Sequence, residues 1–100
     1  MDKYEIKLLP KAYRDIDQIY EYISAELQSR EAALYLVASF EEAVLSLEKL
    51  PRRGAERKIG VYANRGYRQL FVKNFTIVYR IDEKVKHVIV VTVKYSPSSF

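Results

Sequence analysis

The spacing of apolar residues changes near the middle of this 100-residue chain, and that change limits the folds it can adopt. Between residues 10 and 50, apolar side chains recur every three or four positions, which is typical of amphipathic helices. After residue 66, stretches rich in β-branched and aromatic residues follow a period of two, which is typical of strands. The pattern predicts an α+β fold in which helices precede most of a sheet.

Two helices are predicted in the first half of the chain. Pro10 suits the first turn of a helix, Ser29 is a good N-cap for a second helix with Glu31 in its first turn, and Pro51 closes that helix. The apolar stripes are Ala12, Ile16, Ile19, Tyr20, Ile23 and Leu27 in the first helix, and Ala33, Leu36, Val37, Phe40, Val44, Leu47 and Leu50 in the second. We expect the two helices to form an antiparallel helical hairpin.

Four strands are predicted around this helical hairpin. Residues 4–9 form an N-terminal strand, and residues 70–72, 75–81 and 88–95 form a three-stranded antiparallel meander because the connections between them are short. The element order is β-α-α-β-β-β. We expect one two-layer domain that spans residues 1–100.

The short connection at Lys73-Asn74 predicts which side chains share a face of the sheet. A two-residue loop there places Val72 opposite Phe75 and Tyr67 opposite Arg80. The face expected to pack on the helices, here called the core face, carries Leu70, Val72, Phe75, Ile77, Tyr79 and Ile81, with Arg68 at its margin. The second face carries Tyr67, Gln69, Phe71, Thr76, Val78 and Arg80.

Alternation in the last strand assigns its residues to the same two faces. Ile89, Val91, Val93 and Tyr95 are the more apolar set and are predicted on the core face, whereas Val90, Thr92 and Lys94 are predicted on the second face. The second face is then a mixture of basic, aromatic, polar and apolar side chains. Such a face suits stacked nucleotides with their phosphates or a protein partner, and the alternative is a half-solvated sheet.

Charge is distributed unevenly along the chain. Residues 1–48 hold five Lys/Arg and ten Asp/Glu, a net charge of −5, whereas residues 49–73 hold eight Lys/Arg and only Glu56, a net charge of +7. A local excess of this size suggests contact with a polyanion or with an acidic protein segment. The alternative is that the charges of residues 49–73 are simply solvated and contact no partner.

Composition excludes several classes of protein. There is no cysteine and only one histidine, His87, so a zinc site and a disulfide framework are not expected. The charged N-terminus does not resemble a signal peptide, and no apolar run approaches the ~20 residues of a membrane span. Glycine-rich phosphate loops, serine-centred elbows and clustered carboxylates are also missing. We expect a cytoplasmic protein that has no cofactor and no membrane contact.

Four segments together resemble a known family. "LEKLP" ends the second helix, "GYRQL" opens the meander, "NFTIVYRID" is its middle strand and "VIVVTV" is its last strand. With the element order, they resemble the RelE/ParE superfamily of bacterial toxins. The resemblance implies a toxin held inactive by a cognate antitoxin with which it forms an oligomer. It also implies either a ribosome-dependent mRNA endonuclease, as in RelE-like members, or a gyrase inhibitor that breaks no bond, as in ParE-like members.

The nuclease alternative, taken as the first hypothesis, needs particular side chains. Cleavage by the 2′-hydroxyl of RNA needs a proton acceptor, cations at the phosphate and a proton donor, but no metal. The candidates are Arg68, Arg80 and Lys94 as charge stabilisers, Tyr95 as acid or base, and Arg65, Tyr67 and Lys73 as RNA-binding residues. Thr76, where RelE-like nucleases have an arginine, and the terminal Phe100 depart from the nuclease pattern. A further alternative is therefore a family member with weakened catalysis. The tail also lacks the Gly-Arg-Arg-like ending common in ParE-like members, so both activities stay open.

Overall fold

The computed structural model describes residues 3–96, which form one mixed sheet with two helices. The elements are β1 (Glu5–Leu8), α1 (Pro10–Glu26), α2 (Arg30–Leu45), β2 (Ala55–Glu56), β3 (Tyr67–Val72), β4 (Phe75–Asp82) and β5 (His87–Tyr95). The predicted α+β class and the order of the predicted elements are confirmed. Strand β2 was not predicted, because two residues are too few to show a period.

The helix ends follow the sequence signals. Pro10 is the first residue of α1, and the Ser29 hydroxyl caps α2 by accepting a hydrogen bond from the Ala32 N–H at 3.1 Å. The α-helical part of α2 ends at Leu45, earlier than predicted, and a 3₁₀ turn continues the chain over Ser46–Glu48. The two helices pack against each other, which confirms the helical hairpin.

The sheet has the strand order β1-β5-β4-β3-β2. β1 runs parallel to β5, from Glu5 opposite His87 to Leu8 opposite Val90, and the other neighbouring pairs are antiparallel. A parallel pair needs a long crossover between its strands, whereas antiparallel neighbours need only tight turns. The two helices and strands β2 to β4 lie between β1 and β5 in the chain, and the first and last strands are neighbours in the sheet, with β1 at its edge.

The predicted register of the β3–β4 hairpin is confirmed. Val72 lies opposite Phe75 and Tyr67 lies opposite Arg80, with Lys73 in the left-handed backbone region at a φ of 55°. The core face packs on the helices, where the Phe75 ring meets the edge of Phe40 at a centroid distance of 5.4 Å. Tyr79 is the largest fully buried side chain of this core.

The prediction for β5 is wrong over its first half, because a β-bulge interrupts the alternation. Tyr79 pairs with Val90 and Val78 pairs with Thr92, so Val91 has no opposite residue on β4. An extra residue in one strand reverses the faces on one side of the bulge. Val90 therefore lies in the core, and Ile89, opposite Arg80, is on the second face.

Beyond the bulge the predicted faces are correct. Val93 pairs with Ile77 and lies in the core, and Tyr95 pairs with Phe75, whose ring is 5.5 Å away between centroids. Lys94 pairs with Thr76 on the second face and is exposed.

The second face is more closed than the sequence predicts. Thr76 and Val78 are fully buried at its centre, and the Thr76 hydroxyl donates a hydrogen bond to the Ser96 hydroxyl at 2.8 Å. Exposed or half-exposed positions remain around this centre, at Phe71, Lys94, Tyr67 and Arg80. The second face is therefore not a continuous open platform for stacked bases.

Candidate functional site

The turn before β2 is fixed to the buried Tyr79. The Tyr79 hydroxyl donates a hydrogen bond to the Pro51 carbonyl at 2.7 Å and accepts one from the Gly54 N–H at 3.1 Å. Burial raises the pKa of Tyr79, so its hydroxyl stays protonated and able to donate. One side chain thereby holds both ends of the segment that presents Arg52 and Arg53.

Arg68 stabilises the same turn. Its Nη1 donates to the Gly54 carbonyl at 2.7 Å and approaches the Arg52 carbonyl at 3.5 Å. It lies opposite Tyr79 on β4, at the margin of the core face as predicted. The structure therefore gives Arg68 a positioning role in the fold.

Gly54 allows this turn to approach the sheet closely. A Cβ at this position would lie 2.5 Å from the Gln69 carbonyl oxygen and 2.7 Å from the Tyr79 hydroxyl. Real Cβ atoms do not approach other heavy atoms so closely, so only glycine fits. The sequence alone did not reveal this requirement.

Arg57 organises the loop between β2 and β3. It is only 9% exposed; its Nη1 donates to Gln69 Oε1 at 2.5 Å and its Nε donates to the Ile59 carbonyl at 3.1 Å. Its main-chain N–H also donates to the Tyr67 carbonyl at 2.7 Å, and its carbonyl accepts from the Asn64 N–H at 3.0 Å. Arg57 contributes to the basic charge of this region in the sequence, but in the structure its side chain is buried and holds the loop together.

Several other cations of residues 49–73 also have intramolecular partners. Arg52 forms an ion pair with Glu83, Arg53 donates to the Ser46 hydroxyl at 2.6 Å, and the Lys73 ammonium lies 5.1 Å from the centroid of the Tyr35 ring. Within residues 3–96, Lys49, Lys58 and Arg65 are exposed and their side chains make no hydrogen bond or ion pair. The cationic surface is therefore smaller than the net charge of +7 suggests.

The residues predicted for catalysis are not brought together. Arg68 and Tyr95 belong to the core face, whereas Arg80 and Lys94 belong to the second face. Lys94 lies opposite Thr76, four residues from Arg80 along β4, which is roughly 13 Å at the rise of a strand. A single phosphate cannot contact all four side chains.

The predicted RNA-binding residues are also separated. Arg65 precedes β3 and Lys73 follows it, so the six-residue strand lies between them. Tyr67 is half-buried, and its ring meets the edge of the Tyr62 ring at a centroid distance of 4.9 Å. His87 lies at the start of β5, where its Nε2 is 3.2 Å from Glu5 Oε1.

Asp15 is a polar residue whose importance the sequence did not indicate. β1 ends opposite Val90, so the N–H of Val93 has no strand partner on that side and instead donates to the Asp15 carboxylate at 3.2 Å. The Thr92 hydroxyl and the Lys11 ammonium also donate to this carboxylate. Burial acts to raise the pKa of Asp15, but these three hydrogen bonds together outweigh it and lower the pKa.

Two of the exposed apolar surfaces within residues 3–96 could contact a partner. One is a groove of about 340 Å³ between β1, α1 and α2, here called the helical groove, lined by Ile6, Leu8, Tyr13, Ile16, Val37 and Leu45 among others. The other is at the tip of the loop between β2 and β3, where Ile59 and Val61 project into solvent. The two surfaces belong to different elements of the fold.

The described part of the chain has neither metal-ligand clusters nor membrane-spanning helices. Residues 3–96 contain no group of three His, Cys, Asp or Glu side chains that could hold a metal ion. No helix in the same range combines the length and apolar character needed to cross a membrane.

Comparison with known proteins places the chain in a family. The family model for the ParE toxin of the type II toxin–antitoxin system parDE matches residues 6–96. No curated protein matches the chain in sequence.

Solved structures show the same fold. A chain of the chromosomal ParDE system from P. aeruginosa is 26% identical with a TM-score of 0.77, over 94% of this chain and 97% of that one. A chain of the RelBE2 toxin–antitoxin complex from Mycobacterium tuberculosis is 19% identical with a TM-score of 0.66, over 98% and 97%. The isolated E. coli RelE toxin is 14% identical with a TM-score of 0.62, over 96% and 87%. This chain belongs to the ParE toxin family of type II toxin–antitoxin systems.

Proposed function

We propose that this toxin acts as ParE-like members do, by binding DNA gyrase without breaking a phosphodiester bond, and that a cognate antitoxin holds it inactive. The observation that carries this proposal is the division of the predicted catalytic residues between the two faces of the sheet. General acid–base catalysis requires its groups within hydrogen-bond reach of one reacting phosphate. A binding protein has no such requirement.

The shape of the helical groove supports an antitoxin as partner. Its walls are largely apolar, and Tyr13 and Leu45 at its rim are 60% and 50% exposed. Exposed apolar patches of this kind mark protein–protein contacts. An amphipathic segment of the antitoxin that fills the groove would remove this surface from water, and the oligomer formed in this way would keep the toxin inactive.

A ribosome-dependent mRNA endonuclease is the second candidate. It is favoured by one observation, that Arg80 and Lys94 share the second face and that neither forms a hydrogen bond or ion pair within residues 3–96. Two free cations on one face could stabilise charge on a phosphate. Arg68 and Tyr95 would then have no catalytic role, because they belong to the other face.

Induction of the toxin in growing cells separates the two candidates. A gyrase inhibitor should reduce DNA synthesis and induce the DNA-damage response first, while incorporation of labelled methionine continues. An mRNA endonuclease should stop that incorporation within minutes. Growth arrest that antitoxin co-expression relieves is the result expected for either toxin, and a harmless chain would contradict both.

A further inference from the structure

Ile59 and Val61 are the most exposed large apolar side chains within residues 3–96, at 70% and 78%. Both lie in the loop formed by residues 57–66, here called the basic loop. Single exposed apolar residues are common on protein surfaces and need no explanation. Two such residues in one loop that is held in shape by internal hydrogen bonds do require an explanation.

The basic loop is held in shape by its own hydrogen bonds. The buried Arg57 guanidinium bonds the Ile59 carbonyl at one end and the Gln69 side chain of β3 at the other. Gly60 has a φ of 81°, and the Ala63 N–H donates to its carbonyl at 3.1 Å, which closes the turn that carries Val61. The loop thus presents Ile59 and Val61 outward on a fixed backbone, and little conformational entropy is lost when they bind.

The charges near these two side chains are of one sign. Lys58 is adjacent to Ile59 and Arg65 follows at the other end of the loop, and both are exposed without a partner in the described residues. The charge of Arg57 is used inside the loop. An apolar centre with cations at its rim is complementary to an acidic protein surface that has an apolar depression.

The same features favour a protein over a nucleic acid. Nucleic-acid binding depends mainly on many phosphate contacts and on aromatic rings that stack on bases. Here two free cations accompany two aliphatic side chains, and Tyr62 packs its ring against Tyr67. Apolar side chains in rigid positions are instead typical anchors of protein interfaces.

The basic loop is also distinct from the helical groove. Arg57 ties the loop to Gln69, which belongs to the second face, whereas β1, α1 and α2 form the groove. We infer that the basic loop docks on an acidic protein surface of the toxin's target, with Ile59 and Val61 as apolar anchors and Lys58 and Arg65 as flanking cations. This inference rests on the proposed function.

The test uses the full chain with the double variant Ile59→Ser/Val61→Ser, which removes the anchors and keeps every charge. The matched control is Leu27→Ser/Val85→Ser, because those side chains are 60% and 54% exposed on other elements. Growth inhibition, binding to purified DNA gyrase and affinity for the purified antitoxin are measured for each protein. We expect the loop variant to lose about tenfold or more in growth inhibition and gyrase binding, with antitoxin affinity unchanged. The control should behave as the wild type.

Several results would overturn the inference. Full growth inhibition by the loop variant would show that the anchors are not used, and an equal loss of antitoxin affinity would assign the loop to the antitoxin. If Lys58→Ala/Arg65→Ala abolishes inhibition while the anchor variant does not, the partner is a nucleic acid. Melting temperatures identify any variant that fails to fold, and Ile59→Ser alone then replaces the double variant. A wild-type chain that stops growth but does not bind gyrase would contradict the proposed target. In that case, the growth inhibition by the loop variant relative to wild type would still test whether the loop contacts the target.

Discussion

Arg68 and Arg80 lie on adjacent strands of one hairpin but on opposite faces of the sheet. Arg68 donates a hydrogen bond to the Gly54 carbonyl, whereas Arg80 has no such partner among residues 3–96. Two arginines that look equivalent in the sequence therefore have different roles. Arg68 positions the turn at residues 51–54, and Arg80 is available to a ligand of the second face.

Alanine substitution should separate these two roles. Arg80→Ala should change the free energy of unfolding by less than about 0.5 kcal/mol and should abolish growth inhibition. Arg68→Ala should cost about 1–3 kcal/mol, because the buried Gly54 carbonyl loses its charged donor. Chemical denaturation and growth assays measure the two effects, and Arg68→Lys serves as a control that retains a donor. Full toxicity of a folded Arg80→Ala protein would show that Arg80 does not contact the target.

Gly54→Ala tests the close approach of the turn to Tyr79. A methyl group there must displace the Gln69 main chain or the Tyr79 hydroxyl, so we expect a loss of about 1–3 kcal/mol or more in unfolding free energy. Gly66→Ala is the matched control, since Gly66 has a φ of 83° but a Cβ added there would meet no atom within 4 Å. Its cost should be that of backbone strain alone, about 1–2 kcal/mol. A Gly54→Ala protein that keeps wild-type stability and the hydrogen bonds of Tyr79 would contradict the packing argument.

The pH dependence of stability should report Asp15. Because its pKa is lowered in the folded state, the carboxylate stabilises the fold above the ordinary Asp value of about 3.8, and this contribution is lost as the pH falls through the folded pKa. Asp15→Asn should cost about 1–2 kcal/mol at pH 7 and make the decline of stability below pH ~4 shallower. Urea denaturation between neutral and acidic pH measures both, with Asp17→Asn, on an exposed position of α1, as control. If Asp15→Asn left the decline of stability at acidic pH unchanged, the Asp15 carboxylate would not stabilise β5.

The helical groove should bind the antitoxin. Leu45→Arg should lower antitoxin affinity at least about tenfold, because a charge then replaces an apolar contact at the rim of the groove, and it should leave growth inhibition intact. Val85→Arg is the control, since Val85 is 54% exposed and Leu45 is 50% exposed. Calorimetry with purified antitoxin measures the affinity. Normal rescue of growth by the antitoxin in Leu45→Arg cells would place its binding site elsewhere.

The elements with a regular period were predictable from the sequence. Pro10 and Ser29 begin the two helices as predicted, and the register from Tyr67 opposite Arg80 to Val72 opposite Phe75 followed from a two-residue turn. Local signals fix such features, because caps and tight turns depend on neighbouring residues. The family resemblance, based on four segments and the element order, was also confirmed.

The remaining features depend on contacts between distant residues. The bulge at Val91 reversed the faces of Val90 and Ile89, and no residue in the sequence predicts it. Arg57 was indistinguishable from a surface cation until Gln69 was placed beside it, and Asp15 looked like an ordinary surface acid of a helix. The predicted catalytic residues were chosen by type, and the fold then divided them between two faces.

A cleavage assay with purified DNA gyrase and supercoiled plasmid tests the central claim most directly. The account predicts that the wild-type toxin causes linear plasmid to accumulate after detergent and protease treatment, through trapped gyrase–DNA complexes, and that the purified antitoxin prevents this. Translating ribosomes incubated with the same toxin should keep their mRNA intact. Unaffected gyrase together with mRNA cut in the ribosomal A site would contradict the account and establish the nuclease.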